Sequence, residues 1–158
     1  MTGILLGLGI LVSLFYFSAV PMINDITTEF PPPEFMVEDR PYDAGFYKLQ
    51  AEYYPQIKSL VMVGNPADFF ERSKELMINC YQWQVLYEEK PNQLEAVAKT
   101  EWLAFKDDVL VKLVPLGNKT KIIMRSRSRA GKSDFGANQI RIRLFMKSLV
   151  ENKCYFAE

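Results

Sequence analysis

The chain has 158 residues, of which 49% are hydrophobic and 24% charged, and its formal net charge is zero. This composition is typical of a single globular domain. The chain contains no histidine, which excludes Ser-His-Asp and Cys-His nucleophilic systems and any His-ligated metal. Charge is unevenly distributed, since residues 1–108 carry 8 Lys/Arg against 16 Asp/Glu and residues 109–158 carry 11 against 3. Such asymmetry indicates either a binding surface or a basic half that folds against an acidic half.

The first predicted element is a transmembrane helix at residues 1–23. The stretch from Gly3 to Ile23, "GILLGLGILVSLFYFSAVPMI", contains no charged residue. At about 1.5 Å per residue, a helix of this length spans the ~30 Å hydrocarbon core of a bilayer. A cleaved signal peptide is the alternative, but it normally has Lys or Arg before a shorter apolar run. The sequence therefore favours a retained anchor, and a membrane bilayer as one partner of the chain.

Flanking residues predict the orientation and a neighbour in the membrane. The first charges after the anchor are Asp25 and Glu29, and the first cation is Arg40. Cytoplasmic flanks are normally rich in Lys and Arg, so we expect the following domain on the non-cytoplasmic side, periplasmic or lumenal. Gly3 and Gly7 form a small-residue pair that favours close packing against a helix of another integral membrane protein.

Residues 24–56 are predicted to be an extended spacer. The segment "FPPPEF" stacks three prolines, which favours a polyproline-type conformation without a helix. Large aromatic residues follow it: Tyr42, Phe46, Tyr47, Tyr53 and Tyr54. Rings near a membrane anchor can lie at the bilayer interface or pack the spacer onto the domain. Packing is favoured, because a free linker rarely carries so many large rings.

Residues 57–158 are predicted to form one α+β domain. A strand at 57–63 ends at Gly64, and Asn65 with Pro66 begins a helix. Four runs joined by short turns then predict an antiparallel meander: "YQWQVLYEE", "LEAVAKTEWLAF", "DVLVKLVPL" and "TKIIMRSRSR". A last helix begins at a Ser133 or Asp134 cap. The order β-α-β-β-β-β-α predicts a curved antiparallel sheet of about five strands packed against two helices.

The basic stretch "RSRSRAGKSD" offers the clearest candidate site. In a strand, Arg125, Arg127 and Arg129 share one face, and with Lys132 beyond the turn they are candidates to bind an anion or a partner's carboxylates. The alternative is pairing with carboxylates of this chain on neighbouring strands or their turns: Glu95, Glu101, Asp107 and Asp108. A tethered domain with zero net charge lacks the electrostatics of a nucleic-acid-binding protein, so no nucleic-acid partner is expected.

Two cysteines, Cys80 and Cys154, have no zinc-type spacing. They form one disulfide if the domain lies outside the cytoplasm, or else they are two buried thiols.

Three segments resemble the bacterial and plastid family called domain of unknown function 1499. They are "INDITTEFPPPEF" (23–35), "LEAVAKTEWLAFKDDVLVKL" (94–113) and "RSRSRAGKSDFGANQIRIRLF" (125–145). The resemblance covers nearly the whole chain after the anchor, and its arginines, glycines, Asp134 and Asn138 fall as the family has them. It implies a membrane-anchored protein of this family's fold. It transfers no catalytic residue, because the family has no established biochemical activity.

The leading expectation for function is a non-catalytic interaction domain, an accessory or assembly subunit of a larger membrane protein complex. The alternative is helix-grip-like binding of a lipid or other apolar or anionic ligand between sheet and helix. Candidates to line such a cavity are Trp83, Trp102, Phe105 and Met124. An enzyme using Asp107, Asp108 and Asp134 to bind a hard metal is the third option. Neither a cofactor nor a metal is predicted.

Overall fold

The computed structural model describes residues 20–38, 40–99 and 105–157. It contains six strands and three helices: β1 (Asp25–Thr27), α1 (Ala44–Tyr53), β2 (Leu60–Val63), α2 (Pro66–Glu75), a π-helical turn (Leu76–Cys80), β3 (Gln84–Glu89), β4 (Gln93–Lys99), β5 (Lys106–Leu116), β6 (Lys119–Ser128) and α3 (Ala137–Glu151). The predicted α+β class and antiparallel sheet are confirmed. Predictions of about five strands and two helices are wrong by one strand and one helix.

One antiparallel sheet organises the domain, with strand order β1-β6-β5-β4-β3. The second strand, β2, also pairs with β6, so β1 and β2 follow one another along the same edge. Strand β1 pairs with the C-terminal half of β6, Asp25 opposite Arg127, and β2 with its N-terminal half, Leu60 opposite Ile122. The basic strand β6 therefore lies inside the sheet, with neighbours on both sides.

The hydrophobic core lies between the sheet and helices α2 and α3. Alternate residues of β4, β5 and β6 face the helices and are buried together with apolar residues of α2 and α3. The main contributors are Leu94, Ala96, Val109, Val111, Met124, Phe69, Phe70, Ile142, Phe145 and Leu149. The space between α3 and the sheet is thus filled by this chain's own side chains.

The segment expected to be an extended spacer contains strand β1 and helix α1. Ile26 of β1 is fully buried in the core, and the side chain of Gln50 in α1 bonds to both the backbone N–H and the C=O of Thr27, at 3.0 and 2.6 Å. Gln50 thereby satisfies the backbone N–H and C=O of Thr27, which an edge strand would otherwise leave unpaired. Helix α1 begins because the carboxylate of Asp43 accepts the Gly45 N–H at 2.8 Å. The prediction of a spacer without a helix is therefore wrong at Ala44–Tyr53, because the prolines at 31–33 restrict only their own neighbourhood, which is non-helical.

The predicted start of helix α2 is confirmed: Asn65 accepts the Asp68 N–H at 3.0 Å, and Pro66 is the first helical residue. The helix continues into the π-helical turn, which ends at Cys80. Cys80 is bonded to Cys154, with a Cα–Cα distance of 5.8 Å. The alternative of two buried thiols is therefore wrong, because the C-terminal tail returns to the end of this turn.

Within the described ranges, no helix is long and apolar enough to cross a membrane. Residues 1–19 of the predicted anchor, with Gly3 and Gly7, lie outside those ranges, as do Trp102 and Glu101. The predicted helix is wrong at its end, because residues 20–23 are non-helical and Ile23 is buried in the core of the domain.

Candidate functional site

The predicted arginine face of the sheet is covered by the segment between β1 and α1, residues 28–43, which we call the strap. Arg125 and Arg127 point to this face, together with Asp25 from β1, Asp108 from β5 and Glu95 from β4, as the strand registers require. All five of these charged side chains are buried. The sequence left open whether the arginines pair with carboxylates of this chain, and the contacts of each side chain show which groups they bind.

Arg125 is the centre of the face and only 2% exposed. Its Nε and Nη2 donate to the two carboxylate oxygens of Asp25 at 2.9 and 2.7 Å, and its Nη1 donates to the Pro33 carbonyl of the strap at 2.8 Å. The rings of Phe35 and Tyr42 lie 5.1 and 5.4 Å from its guanidinium carbon. Bidentate pairing and aromatic stacking are the contacts that a buried guanidinium needs.

Arg127 and Arg129 share the carboxylate of Asp108. Arg127 Nη2 lies 3.1 Å from Asp108 Oδ2 and donates to the Glu38 carbonyl of the strap at 2.6 Å. Arg129 Nε donates to Asp108 Oδ1 at 2.8 Å, and its Nη1 lies 2.9 Å from Glu38 Oε1. Both arginines thus connect strand β5 to the strap.

Glu95 holds the strap without a cation. Its carboxylate accepts the backbone N–H groups of Met36 and Val37 at 2.6 and 3.1 Å, and Gln93 Nε2 donates to it at 2.8 Å. Gln93 also donates to the Glu34 carbonyl at 3.2 Å. A buried carboxylate is stabilised by such donors.

Of the described carboxylates expected to pair with the arginines of the basic stretch, Asp108 alone does so. The other contacts of Arg125 and Arg127 are made by Asp25 and by carbonyl groups of the strap.

The serines of the same motif lie on the opposite face and bond to helix α3. Ser126 Oγ lies 2.6 Å from Asn138 Oδ1, and Asn138 Nδ2 donates to Ser128 Oγ at 3.1 Å. Arg141 donates to Ser126 Oγ at 2.9 Å and to Asp107 Oδ2 at 2.6 Å. The alternation of arginine and serine therefore supplies one polar network to each side of the sheet.

The corner between β6 and α3 is built by turn chemistry. Gly131 and Gly136 have φ values of +84° and +86°, which only glycine adopts at little cost. Because Gly136 has a left-handed conformation, it is the N-cap and the helix begins at Ala137, later than the predicted cap at Ser133 or Asp134 implies. Asp134 still caps it, accepting the N–H groups of Gly136 and Asn138 at 2.8 and 2.9 Å. Burial raises the pKa of Asp134, and these two hydrogen bonds oppose that rise.

The three aspartates considered as metal ligands are all engaged. Asp107 pairs with Arg141, Asp108 with two arginines, and Asp134 caps α3. Across the described part of the chain, no group of three His, Cys, Asp or Glu side chains is placed to hold a metal ion.

The three predicted cavity residues that the structure describes, Trp83, Phe105 and Met124, do not line one cavity. Met124 is fully buried in the core, Trp83 stacks on Tyr81 and Phe145 at centroid distances of 4.8 and 5.6 Å, and Phe105 is 51% exposed beside the β6–α3 corner. The fourth candidate, Trp102, is not described. A separate open groove of about 770 Å³ lies between α3, residues 56–60 and the C-terminal tail. Its floor includes Ile57, Ile142 and Met146, and its rim carries Lys58, Arg143 and Lys147.

Sequence reasoning missed two residues that hold the strap. Asp25, the main partner of Arg125, lies 100 positions away in the chain, inside the predicted spacer. Glu38, which contacts Arg129, lies in the same predicted spacer. The signal that could have found Asp25 is its place in "INDITTEFPPPEF", the first segment of the family resemblance.

The fold and the buried charge network define an α+β domain whose basic sheet face is closed by its own N-terminal strap. The chain belongs to the family described as "Protein of unknown function (DUF1499)", whose sequence profile matches residues 25–149. That match includes β1, the strap and the whole sheet.

Comparisons with individual proteins add little. A comparison with curated proteins found no match. Among solved structures, the chain is similar to the crystal structure of CalU16 from Micromonospora echinospora, with 13% sequence identity and a TM-score of 0.42. The similarity covers 58% of this chain and 73% of that one.

Proposed function

We propose that this protein is a non-catalytic, membrane-anchored interaction domain on the non-cytoplasmic side, an accessory or assembly subunit of a larger membrane protein complex. The anchor is the part of the uncharged segment at residues 3–19, because Ile23 at the end of that segment is buried in the domain core. The partner is an integral membrane protein that packs against the Gly3 and Gly7 face.

The observation that carries this proposal is the direct attachment of the chain after the anchor to the domain. Ile23 is buried in the core, and its carbonyl accepts the Asp134 N–H at 3.0 Å. The Asn24 carbonyl accepts the Ser128 N–H at 2.8 Å, and β1 begins at Asp25. No flexible linker separates residue 23 from the sheet. A domain attached in this way is held close to the bilayer in one orientation, as a subunit beside a membrane partner must be.

The disulfide supports the placement outside the cytoplasm. Cys80 and Cys154 are bonded, and disulfides persist in oxidising compartments such as the periplasm or the lumen of an organelle.

The test asks whether the chain, once extracted from native membranes, co-migrates with an integral membrane protein. After extraction of the full chain in a mild detergent, we expect it to run in native sizing as a complex that contains an integral membrane protein. A Gly3→Leu/Gly7→Leu variant is expected to stay in the membrane but to lose that complex, because bulky side chains prevent close helix approach.

A matched Ile4→Leu/Leu8→Ile variant, which keeps the small-residue face, serves as the control and is expected to run like the native chain. A native chain that is strictly monomeric after extraction would contradict the proposal.

A second candidate function, binding of a lipid with an anionic headgroup, is favoured by the groove between α3, residues 56–60 and the C-terminal tail. The groove has an apolar floor and three cations on its rim, Lys58, Arg143 and Lys147. Native mass spectrometry with added phosphatidylglycerol is expected to show adducts that an Arg143→Glu/Lys147→Glu variant loses. A Lys119→Glu variant at the β5–β6 turn is the control. Equal adducts with phosphatidylcholine, or equal adducts in all three proteins, would contradict ligand binding in this groove.

A further inference from the structure

The point at which the chain leaves the domain towards the anchor is fixed by hydrogen bonds to the β6–α3 corner. Ser133 Oγ lies 3.3 Å from the Pro21 carbonyl, and Asn24 Nδ2 donates to the Gly131 carbonyl at 2.5 Å. The residues around this point are consequently those of the domain that lie nearest to residue 20, where the described chain begins.

Large apolar side chains surround this exit point. Met22 is 59% exposed, Phe135 64% and Phe105 51%. Phe105 and Phe135 line a single shallow cleft of about 160 Å³ together with Gly131 and Ser133. We call Met22, Phe105, Lys106, Lys132 and Phe135 the exit face.

Exposed lysines lie on and beside the exit face. Lys106 and Lys132 belong to it, and Lys99 is opposite Lys106 in the sheet register; all three are exposed. Three carboxylates near the face that the structure describes are engaged elsewhere, Asp107 with Arg141, Asp108 with two arginines and Asp134 with the N-terminus of α3. Aromatic rings combined with lysines are the composition that favours the headgroup region of a bilayer with anionic lipids.

We propose that the exit face lies in the headgroup region of the same bilayer that holds residues 3–19, an inference that rests on the proposed anchoring. The sheet then points away from the membrane. Strand β5 runs 11 residues from Lys106 to Leu116, so the β5–β6 turn at Gly117 and Asn118 lies about 33 Å from the exit face. That turn provides a built-in control position far from the lipid.

The test uses the full chain in vesicles of phosphatidylcholine with phosphatidylglycerol. A nitroxide label is placed on Phe135→Cys, on Lys132→Cys or on the control Asn118→Cys; the native cysteines are bonded and do not react. Collision rates of the label are measured with oxygen, which concentrates in lipid, and with a water-soluble nickel chelate. We expect the labels at 132 and 135 to collide several-fold less with nickel, and more with oxygen, than the label at 118.

Two results would overturn the inference. In the first, labels at 132 and 135 are as accessible to nickel as the label at 118. In the second, they are protected from both reagents, which indicates coverage by protein, such as a second copy of the chain. Using two label positions keeps the test valid if one variant fails to fold.

Vesicle flotation in carbonate separates failure of the inference from failure of the anchor. A chain that floats with the vesicles while its exit face is accessible to nickel keeps the proposed anchoring and refutes the headgroup contact. A chain that does not float refutes both. A Lys99→Glu/Lys106→Glu/Lys132→Glu variant is expected to float and to lose most of the protection of the label at 135; full retention of that protection would contradict the role of the lysines.

Discussion

Replacement of Arg125 by methionine is expected to lower the free energy of unfolding by about 3–5 kcal/mol, the range found when one member of a buried ion pair is removed. The physical reason is that Asp25, which is itself buried, loses both hydrogen bonds of its carboxylate. The Pro33 carbonyl of the strap loses its donor as well. Urea unfolding of the full chain in a mild detergent, followed by circular dichroism, measures this change.

Two further variants test the cause of this loss. Lys90→Met removes an ion pair with Glu71 whose side chains are both largely exposed, and it is expected to leave the unfolding midpoint almost unchanged. An Arg125→Met/Asp25→Leu double variant removes both buried charges and is expected to recover part of the stability lost in the single variant. An Arg125→Met protein as stable as the Lys90→Met protein would show that the buried pair does not hold the strap.

Loss of the Cys80–Cys154 disulfide is expected to destabilise the domain by about 4 kcal/mol. The bond closes a loop with a sequence separation of 74 residues, and the entropy removed from the unfolded chain grows with loop length. Cys154→Ala is the suitable variant, because Cys154 is exposed and its truncation leaves no cavity in the core. Urea unfolding with and without a reductant measures the effect.

A reductant is expected to lower the stability of the native chain to that of Cys154→Ala and to leave the variant itself unchanged. The tail keeps some attachment after reduction, since Tyr81 Oη donates to the Tyr155 carbonyl at 3.0 Å and the Tyr155 N–H donates to Ser148 Oγ at 3.1 Å. If the native chain is equally stable with and without reductant, the bond does not contribute to folding.

The contacts of the strap change how substitutions in the basic motif should be interpreted. Substitution of Arg125 or Arg127 removes contacts that hold the domain together, so a resulting loss of any binding activity would not identify a ligand. Lys132, in contrast, is exposed and lies on the exit face. Its substitution is the informative one for binding, provided that stability is measured alongside.

Residues that cap a helix, form a turn or alternate along a strand determined much of the fold. Asn65 and Pro66 specified the start of α2, and Gly117–Asn118 specified the β5–β6 turn. The alternation of arginine and serine specified that β6 presents different chemistry on its two faces. These features are local, because a cap, a turn or a strand period depends on residues within a few positions of each other.

Only the tertiary structure decided what the arginines contact. Asp25 reaches Arg125 across 100 positions, and no local pattern encodes a contact of that separation. Strand β1 has three residues, too few for a periodic signal; its stability comes from pairing with β6 and from the side chain of Gln50. The local sequence likewise does not decide between a disulfide and two thiols for Cys80 and Cys154, because their bond depends on the return of the C-terminal tail to the end of the π-helical turn. Sequence alone thus determined the order of elements from β2 to α3. Long-range packing determined β1 and α1 and the closure of the basic face by the strap.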